Sequence, residues 1–177
     1  MKKYEFTGET KEIKLLFRTA VLHRIRATVS FGFVKIGDLG GWIEKEENLS
    51  HEGKAWVWGN AKVWGNAKVW GNAEVCGDAE VWGNAEVCGD AKVFSASHVL
   101  VIGAIGSRND FTTFYRDKDN EITVKCGCFL GKIDRFLEKV TQTHGDSKYA
   151  LVYRAAVEVA KLQIDLSGEA PKDADEE

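Results

Sequence analysis

The sequence has little proline, no long apolar run and no large excess of charge of one sign. It contains one proline among 177 residues, and no segment approaches the roughly 18 consecutive apolar residues of a membrane-spanning helix. The first residues alternate charged and apolar side chains where a secretory signal needs an uninterrupted apolar stretch. The net charge of −3 has the wrong sign for a protein that coats nucleic acid. We therefore expect a cytoplasmic protein with no membrane contact and no general nucleic-acid binding.

Cysteine is also scarce, with four residues in the chain, Cys76, Cys88, Cys126 and Cys128. In a protein without an export signal, reduced thiols are expected and a disulfide framework is not. Cys126 and Cys128 are two residues apart on a predicted strand, but they supply two ligands where a zinc site takes four. We therefore predict neither a metal site nor a cofactor.

A repeat of six residues, without a break in register, occupies the middle of the chain. The sequence from 57 to 92 reads VWGNAK VWGNAK VWGNAE VCGDAE VWGNAE VCGDAK, and more divergent units lie on either side of it. A period of six fits a short strand followed by a corner and does not fit the 3.6-residue period of a helix. The Gly-Asn or Gly-Asp pair in each unit supplies the corner. Three such units would form one turn of a triangular coil.

The charges within the repeat favour pairing of residues three units apart. At this spacing every pair brings a lysine against a glutamate, whereas a spacing of two units would bring Glu74 against Glu86. Opposite charges on adjacent strands stabilise a sheet by a few tenths of a kcal/mol, and like charges destabilise it. We therefore predict parallel pairing of Lys62 with Glu80, Lys68 with Glu86, and Glu74 with Lys92.

The repeat resembles the hexapeptide-repeat superfamily, whose units carry an aliphatic residue first and a small residue fifth, as in Val57 and Ala61. The resemblance implies a mainly β fold with a short left-handed parallel β-helix of about two to three coils. Hydrophobic alternation in 4–36 predicts an N-terminal β cap, and patterns after the repeat predict a C-terminal α+β module of strands and two helices. The expected domains are the N-terminal cap (1–50), the β-helix (51–98), the C-terminal module (99–166) and an acidic tail (167–177).

The flanks carry a second resemblance. The run Gly40-Gly41-Trp42, followed by Asn48-Leu49-Ser50, is similar to the opening segment of uncharacterised phage and prophage hexapeptide-repeat proteins. The runs 126–131 (CGCFLG) and 143–148 (THGDSK) resemble the C-terminal part of such proteins. This resemblance implies a bacterial host cytoplasm and a small accessory protein that acts on host defence, either by capturing a nucleotide signal or by occupying a host protein.

Two sets of residues are candidate sites. The glycine-containing segment 103–110 and the strands around it bring together groups suited to a phosphate-bearing ligand or an acidic partner surface. This predicted binding set is Arg108, Asn109, Thr112, Thr113, Arg116 and Lys125. The aromatic residue of each repeat unit adjoins the inward-facing valine and should therefore point outward, which predicts a homo-oligomer, favoured as a trimer. The predicted interface is Trp58, Trp64, Trp70, Trp82 and Phe94.

Three functions remain open at this point. The first is a non-enzymatic oligomeric binding protein. The second is an acyltransferase, because many hexapeptide-repeat proteins use a histidine as general base, and only His51 and His98 adjoin the repeat. The third is a structural component of a virion or a polymer. Turnover with acyl-CoA would distinguish the second function, and assembly beyond a small closed oligomer would distinguish the third.

Overall fold

The computed structural model describes residues 2–168, and its N-terminal part is a long hairpin followed by a third strand. Strands β1 (Tyr4–Lys14) and β2 (Thr19–Ala27) are antiparallel, and β3 (Leu39–Ile43) pairs antiparallel with β2. The Gly40-Gly41 pair lets β3 pack tightly against the repeat. A Cβ atom on Gly40 would lie 2.8 Å from the Val57 carbonyl oxygen, and one on Gly41 would lie 2.6 Å from the Ala61 carbonyl oxygen.

The repeat forms seven strands of two residues each. The first six are each followed by a glycine with positive φ, between +54° and +75°, which is the conformation that glycine adopts without a Cβ clash. The strands are β4 (Trp56–Val57), β5 (Lys62–Val63), β6 (Lys68–Val69), β7 (Glu74–Val75), β8 (Glu80–Val81), β9 (Glu86–Val87) and β10 (Lys92–Val93).

Strands three units apart pair in parallel, which confirms the spacing predicted from the charges. The pairs are β4 with β7, β7 with β10, β5 with β8, and β6 with β9. Lys62 Nζ lies 2.7 Å from Glu80 Oε1, and Lys92 pairs with Glu74. Lys68 lies opposite Glu86 in the backbone register, but the Glu86 carboxylate pairs with Lys125 of a later strand at 3.1 Å.

The fold class expected from the sequence is wrong. The described residues form short strands in mixed, parallel and antiparallel sheets together with two helices, and not a separate left-handed parallel β-helix between two modules. The largest sheet has the order β1-β2-β3-β5-β8, so antiparallel strands of the N-terminal hairpin and parallel strands of the repeat belong to one sheet. The physical reason is the length of the repeat strands. Strands β5 and β8 have only two residues each, and the longer strands β1, β2 and β3 continue the sheet that these two begin.

The C-terminal part is a four-stranded antiparallel sheet with two helices packed on it. Its strands are β11 (Val99–Ile105), β12 (Asp110–Arg116), β13 (Ile122–Cys126) and β14 (Phe129–Lys132). The helices, as expected from the 3.6-residue pattern, are α1 (Ile133–His144) and α2 (Lys148–Gln163). Phe114, Val124, Phe136 and Tyr153 lie in the core between sheet and helices.

Strand β12 contributes to two of the hydrophobic cores, that of the repeat and that of the C-terminal part. Phe114 faces the helices, whereas Tyr115 on the opposite face is buried in the core formed by the valine and alanine columns of the repeat. The Tyr115 hydroxyl donates to the Cys88 carbonyl oxygen at 2.9 Å, and the Glu86 amide donates to Thr113 Oγ1 at 3.0 Å. These bonds satisfy backbone groups at the end of the repeat that would otherwise be left without partners.

Among residues 2–168, none of the helices combines the length and apolarity needed to cross a membrane. The predicted acidic tail (167–177) lies outside the described residues except for Ser167 and Gly168.

Candidate ligand cleft

A cleft of about 400 Å³ lies between the repeat and the C-terminal sheet. We call it the seam cleft. Its lining comes from two adjacent strands and corners of the repeat on one side and from the β11–β12 and β13–β14 turns on the other. The lining residues are Asn66, Lys68, Asn84, Glu86, Arg108, Asp110, Phe111, Lys125 and Gly127. The volume lies within the usual range of small-molecule sites.

Three cations reach this cleft from three different elements. Lys68 is on β6, Lys125 is on β13, and Arg108 is in the turn between β11 and β12. Lys125 is neutralised by Glu86 at 3.1 Å and lies 5.9 Å from the centre of the Trp70 ring. Lys68 and Arg108 form no side-chain hydrogen bond or ion pair with any other residue in 2–168. The cleft therefore presents two positive charges that the fold does not use.

The lining also contains two carboxylates. Glu86 is the partner of Lys125, and Asp110 uses its Oδ1 to accept the Phe111 amide at 2.8 Å. Three cations against two carboxylates leave the cleft with an excess of positive charge in a protein that is acidic as a whole.

Arg108 reaches the cleft because position 127 has no side chain. Gly127, in the turn between β13 and β14, has φ +56°, and a Cβ atom there would lie 2.7 Å from Arg108 Nη1. Gly106 performs a similar role on the other side of the turn, where a Cβ atom would lie 1.9 Å from the Tyr153 hydroxyl oxygen. The two glycines thus hold the 106–109 turn between α2 and the β13–β14 turn.

Tyr153 lies beneath this turn with its hydroxyl protonated. Burial, together with the neighbouring Cys126 thiol, raises the pKa of Tyr153 to about 12. The hydroxyl oxygen is 4.0 Å from Cys126 Sγ. At neutral pH Tyr153 is therefore an uncharged group that contributes no negative charge near Arg108.

The repeat and an aromatic ring supply the neutral part of the cleft. Asn66 Nδ2 donates to Asn84 Oδ1 at 3.2 Å, so the two amides form a ladder that leaves other donors and acceptors for a ligand. Phe111, at the start of β12, keeps 39% of its surface exposed. An exposed ring beside two unpaired cations is an arrangement that can stack a planar group and hold an anion attached to it.

Of the predicted binding set, the seam cleft contains Arg108 and Lys125, and Asn109 adjoins it in the turn with φ +50°. Thr112 and Thr113 are buried. Thr113 accepts the Glu86 amide at the end of the repeat, and Thr112 Oγ1 donates to Cys126 Sγ at 3.3 Å. These two threonines therefore hold the fold together and do not line the seam cleft.

Arg116 does not line the seam cleft either. It is 2% exposed, and its guanidinium lies 4.6 Å from the centre of the Phe94 ring. Its Nε donates to Asn120 Oδ1 at 3.0 Å, and its Nη1 donates to the Ser167 carbonyl oxygen at 3.0 Å. Arg116 thus fixes the chain that follows α2 to the end of the repeat, away from the seam cleft.

Sequence reasoning missed the repeat side of the cleft. Lys68, Asn66 and Asn84 occupy positions that recur in several units, so nothing in the sequence distinguishes them from the equivalent residues elsewhere. This part of the repeat differs from the other units because Glu86, which lies opposite Lys68, pairs with Lys125 instead. Phe111 could have been included in the predicted binding set, because it starts a strand directly after the predicted binding segment.

The aromatic residues of the repeat are largely covered by the chain itself. Trp64 is only 5% exposed, because the β1–β2 hairpin packs Ala20 and Leu22 against it. Trp58, Trp70 and Phe94 are half-buried. Trp82 is the exception, with 59% of its surface exposed while its ring stacks on Trp64 at 6.1 Å. Most of the expected aromatic surface is thus covered within the chain, and the interface and the trimer stay predictions.

The two histidines of the acyltransferase hypothesis lie outside the seam cleft. His51 stacks on Tyr4 with ring centres 4.3 Å apart, and its Nδ1 accepts the Lys3 amide at 3.1 Å. His98 is buried and accepts the Phe94 amide at 3.3 Å. Burial, reinforced by Arg116, lowers the pKa of His98. Both rings are engaged in packing, and His51 Nε2 lies 3.8 Å from Glu46 Oε2.

Comparison with known proteins adds no assignment. No family model matches the chain, and the search of curated proteins found no significant match. Within residues 2–168, no cluster of three or more histidine, cysteine, aspartate or glutamate side chains is arranged to hold a metal ion.

Proposed function

We propose that this protein is a non-enzymatic binding protein whose seam cleft captures a small phosphate-bearing molecule. The observation that carries the proposal is that Lys68 and Arg108 come from different parts of the chain, border one cleft and have no ion-pair partner within residues 2–168. An anion that binds between two unpaired cations interacts favourably with both charges, so its binding is favoured.

Phosphate suits this cleft better than a carboxylate does. Arg108 can form two parallel hydrogen bonds to one phosphate group, and Lys68 can approach the same group as a point charge. The exposed ring of Phe111 and the amides of Asn66 and Asn84 add surfaces for a base or a sugar. A nucleotide is therefore the ligand class that uses every part of the lining.

The biological setting is proposed from the sequence resemblance. The protein would act in the cytoplasm of a bacterial host, as a phage or prophage product that counteracts host defence by capturing a nucleotide signal. Capture of a host protein is the other mode that the resemblance implies. Self-association belongs to this proposal, and light scattering of the purified protein tests it, because a mass equal to one chain would contradict the oligomer.

Isothermal titration with nucleoside monophosphates, diphosphates, cyclic dinucleotides and inorganic phosphate tests the ligand class. We expect one nucleotide class to bind, and Arg108→Ala and Lys68→Ala each to weaken binding by about tenfold or more, as loss of a charge-assisted hydrogen bond would do. Both side chains are exposed, so the melting temperature should stay within about 1 °C.

Lys139→Ala is the matched control, because Lys139 is an exposed lysine of α1 that does not line the cleft. It should bind every nucleotide as the unmodified protein does. The proposal is contradicted if no phosphate-bearing compound binds at millimolar concentration, or if the Arg108 and Lys68 variants bind as well as the Lys139 variant.

A further inference from the structure

A second cavity, of about 410 Å³, lies on another face of the molecule. We call it the aromatic pocket. One wall is the turn between β2 and β3, and the other is the face formed by β4, β7 and β10 together with their corners. Its lining includes Phe31, Phe33, Lys54, Trp56, Trp58 and Asp90.

The turn places an aromatic ring where the fold does not require one. Phe31 and Val34 exchange backbone hydrogen bonds at 3.0 and 2.9 Å, and Gly32 between them has φ +52°. This tight turn leaves Phe33 at its tip with 88% of its surface exposed. Phe31 and Trp58 instead pack against the buried Trp56, at 5.4 and 6.4 Å between ring centres. Phe33 therefore leaves most of its apolar surface uncovered beside the pocket that it lines.

The carboxylates of the pocket are already neutralised. Glu74 pairs with Lys92. Asp90 lies 3.6 Å from Lys118 Nζ and accepts a hydrogen bond from Asn72 Nδ2 at 3.1 Å. An aromatic site for a cationic ligand would profit from unpaired carboxylates, and within residues 2–168 this lining has none.

One lysine at the pocket has no anionic partner. Lys54 forms no side-chain hydrogen bond or ion pair with any residue in the described part of the chain. Its stem lies along the turn, because a Cβ atom on Gly32 would be 3.7 Å from Lys54 Cδ. Lys54 and Phe33 therefore line the same cavity, with the Lys54 stem beside the turn that carries Phe33.

We propose that the aromatic pocket is a second binding site, separate from the seam cleft, for a small planar aromatic anion such as an aromatic carboxylate. The ring of the ligand packs against Phe33 and Trp58, and its charged group pairs with Lys54. Ring contacts supply apolar burial, and the single unpaired cation selects an anionic substituent over a neutral one.

Isothermal titration with 2-naphthoate, its neutral amide and acetate separates these contributions. We expect 2-naphthoate to bind, the amide to bind about tenfold more weakly, and acetate not to bind at millimolar concentration. Lys54→Ala should reduce the affinity for 2-naphthoate to that for the amide and leave the amide unaffected. Phe33→Ala should weaken both aromatic ligands by about tenfold.

Phe17→Ala is the matched control, because Phe17 is an equally exposed phenylalanine at the tip of the β1–β2 hairpin and does not line the pocket. It should bind 2-naphthoate normally, as should Arg108→Ala, which removes a cation from the seam cleft alone. The proposal is overturned if neither aromatic compound binds, if the carboxylate and the amide bind equally, or if Phe17→Ala weakens binding as much as Phe33→Ala does.

Discussion

Replacing Gly127 by alanine should displace the Arg108 side chain while lowering the stability of the fold only slightly. The positive φ of +56° at Gly127 costs an alanine about 1–2 kcal/mol, and the reduced entropy of the unfolded chain returns about 0.4–1 kcal/mol. A net loss of about 1 kcal/mol corresponds to a fall in melting temperature of about 2–4 °C at this chain length. The new Cβ atom would also lie 2.7 Å from Arg108 Nη1, which is the far end of a flexible side chain. The guanidinium therefore moves away while the backbone stays.

Gly59→Ala is the control for this experiment. Gly59 has φ +54°, and a Cβ atom there would meet nothing within 4 Å, so it carries the same conformational cost without the clash. We expect both variants to melt at similar temperatures in scanning calorimetry. In titration with the nucleotide, only Gly127→Ala should bind more weakly, by about tenfold or more, since it misplaces a charged hydrogen-bond donor. Equal affinities of the two variants would refute the claim that Gly127 positions Arg108.

Three further predictions concern the contacts that hold the fold together. Tyr115→Phe should lower the free energy of unfolding in urea by about 1–3 kcal/mol, because the buried Cys88 carbonyl loses its donor; an unchanged midpoint would contradict this. Burial alone would raise the pKa of Asp117, but the hydrogen bonds that its carboxylate accepts outweigh burial, so the pKa is lowered. Its contribution to stability should therefore be present above about pH 4 and be lost as the pH falls further, and Asp117→Asn should flatten that acid decline in thermal melts. Lys62→Glu should cost about 0.5 kcal/mol and Glu80→Lys should restore it, whereas zero coupling in the double-mutant cycle would argue against their pairing.

The three-unit spacing could be predicted because it depends only on residues within the repeat. Charge signs at Lys62, Glu80 and their equivalents discriminate between spacings without reference to any other part of the chain. The fold class could not be predicted in the same way. It depends on which strands flank β5 and β8 in the same sheet, and that contact is formed by β3, which precedes the repeat and shares no pattern with it.

In the candidate site too, features that depend on nearby residues could be predicted, and features that depend on distant segments could not. Arg108 and Lys125 lie at the seam cleft, as the polar segment 103–128 suggested. Arg116 shares that segment but is buried, because Ser167 and Gly168 return from the end of α2 to accept its hydrogen bonds. A return of the chain from so distant a segment leaves no pattern in the residues around Arg116. The burial of aromatic residues of the repeat could not be predicted for a similar reason, since Trp64 is covered by Ala20 and Leu22 of a distant hairpin.

The three-unit spacing of the paired strands restricts how the length of this protein can change. Tyr115 and Thr113 meet the carbonyl oxygen of Cys88 and the amide of Glu86 at one particular side of the last units. Inserting or deleting a single unit of the repeat would present a different side to β12, so its donors and acceptors would face the wrong strands. Inserting three units together would keep both ends in register. Length variants that fold should therefore differ by multiples of three units, because β12 must meet the same side of the last units.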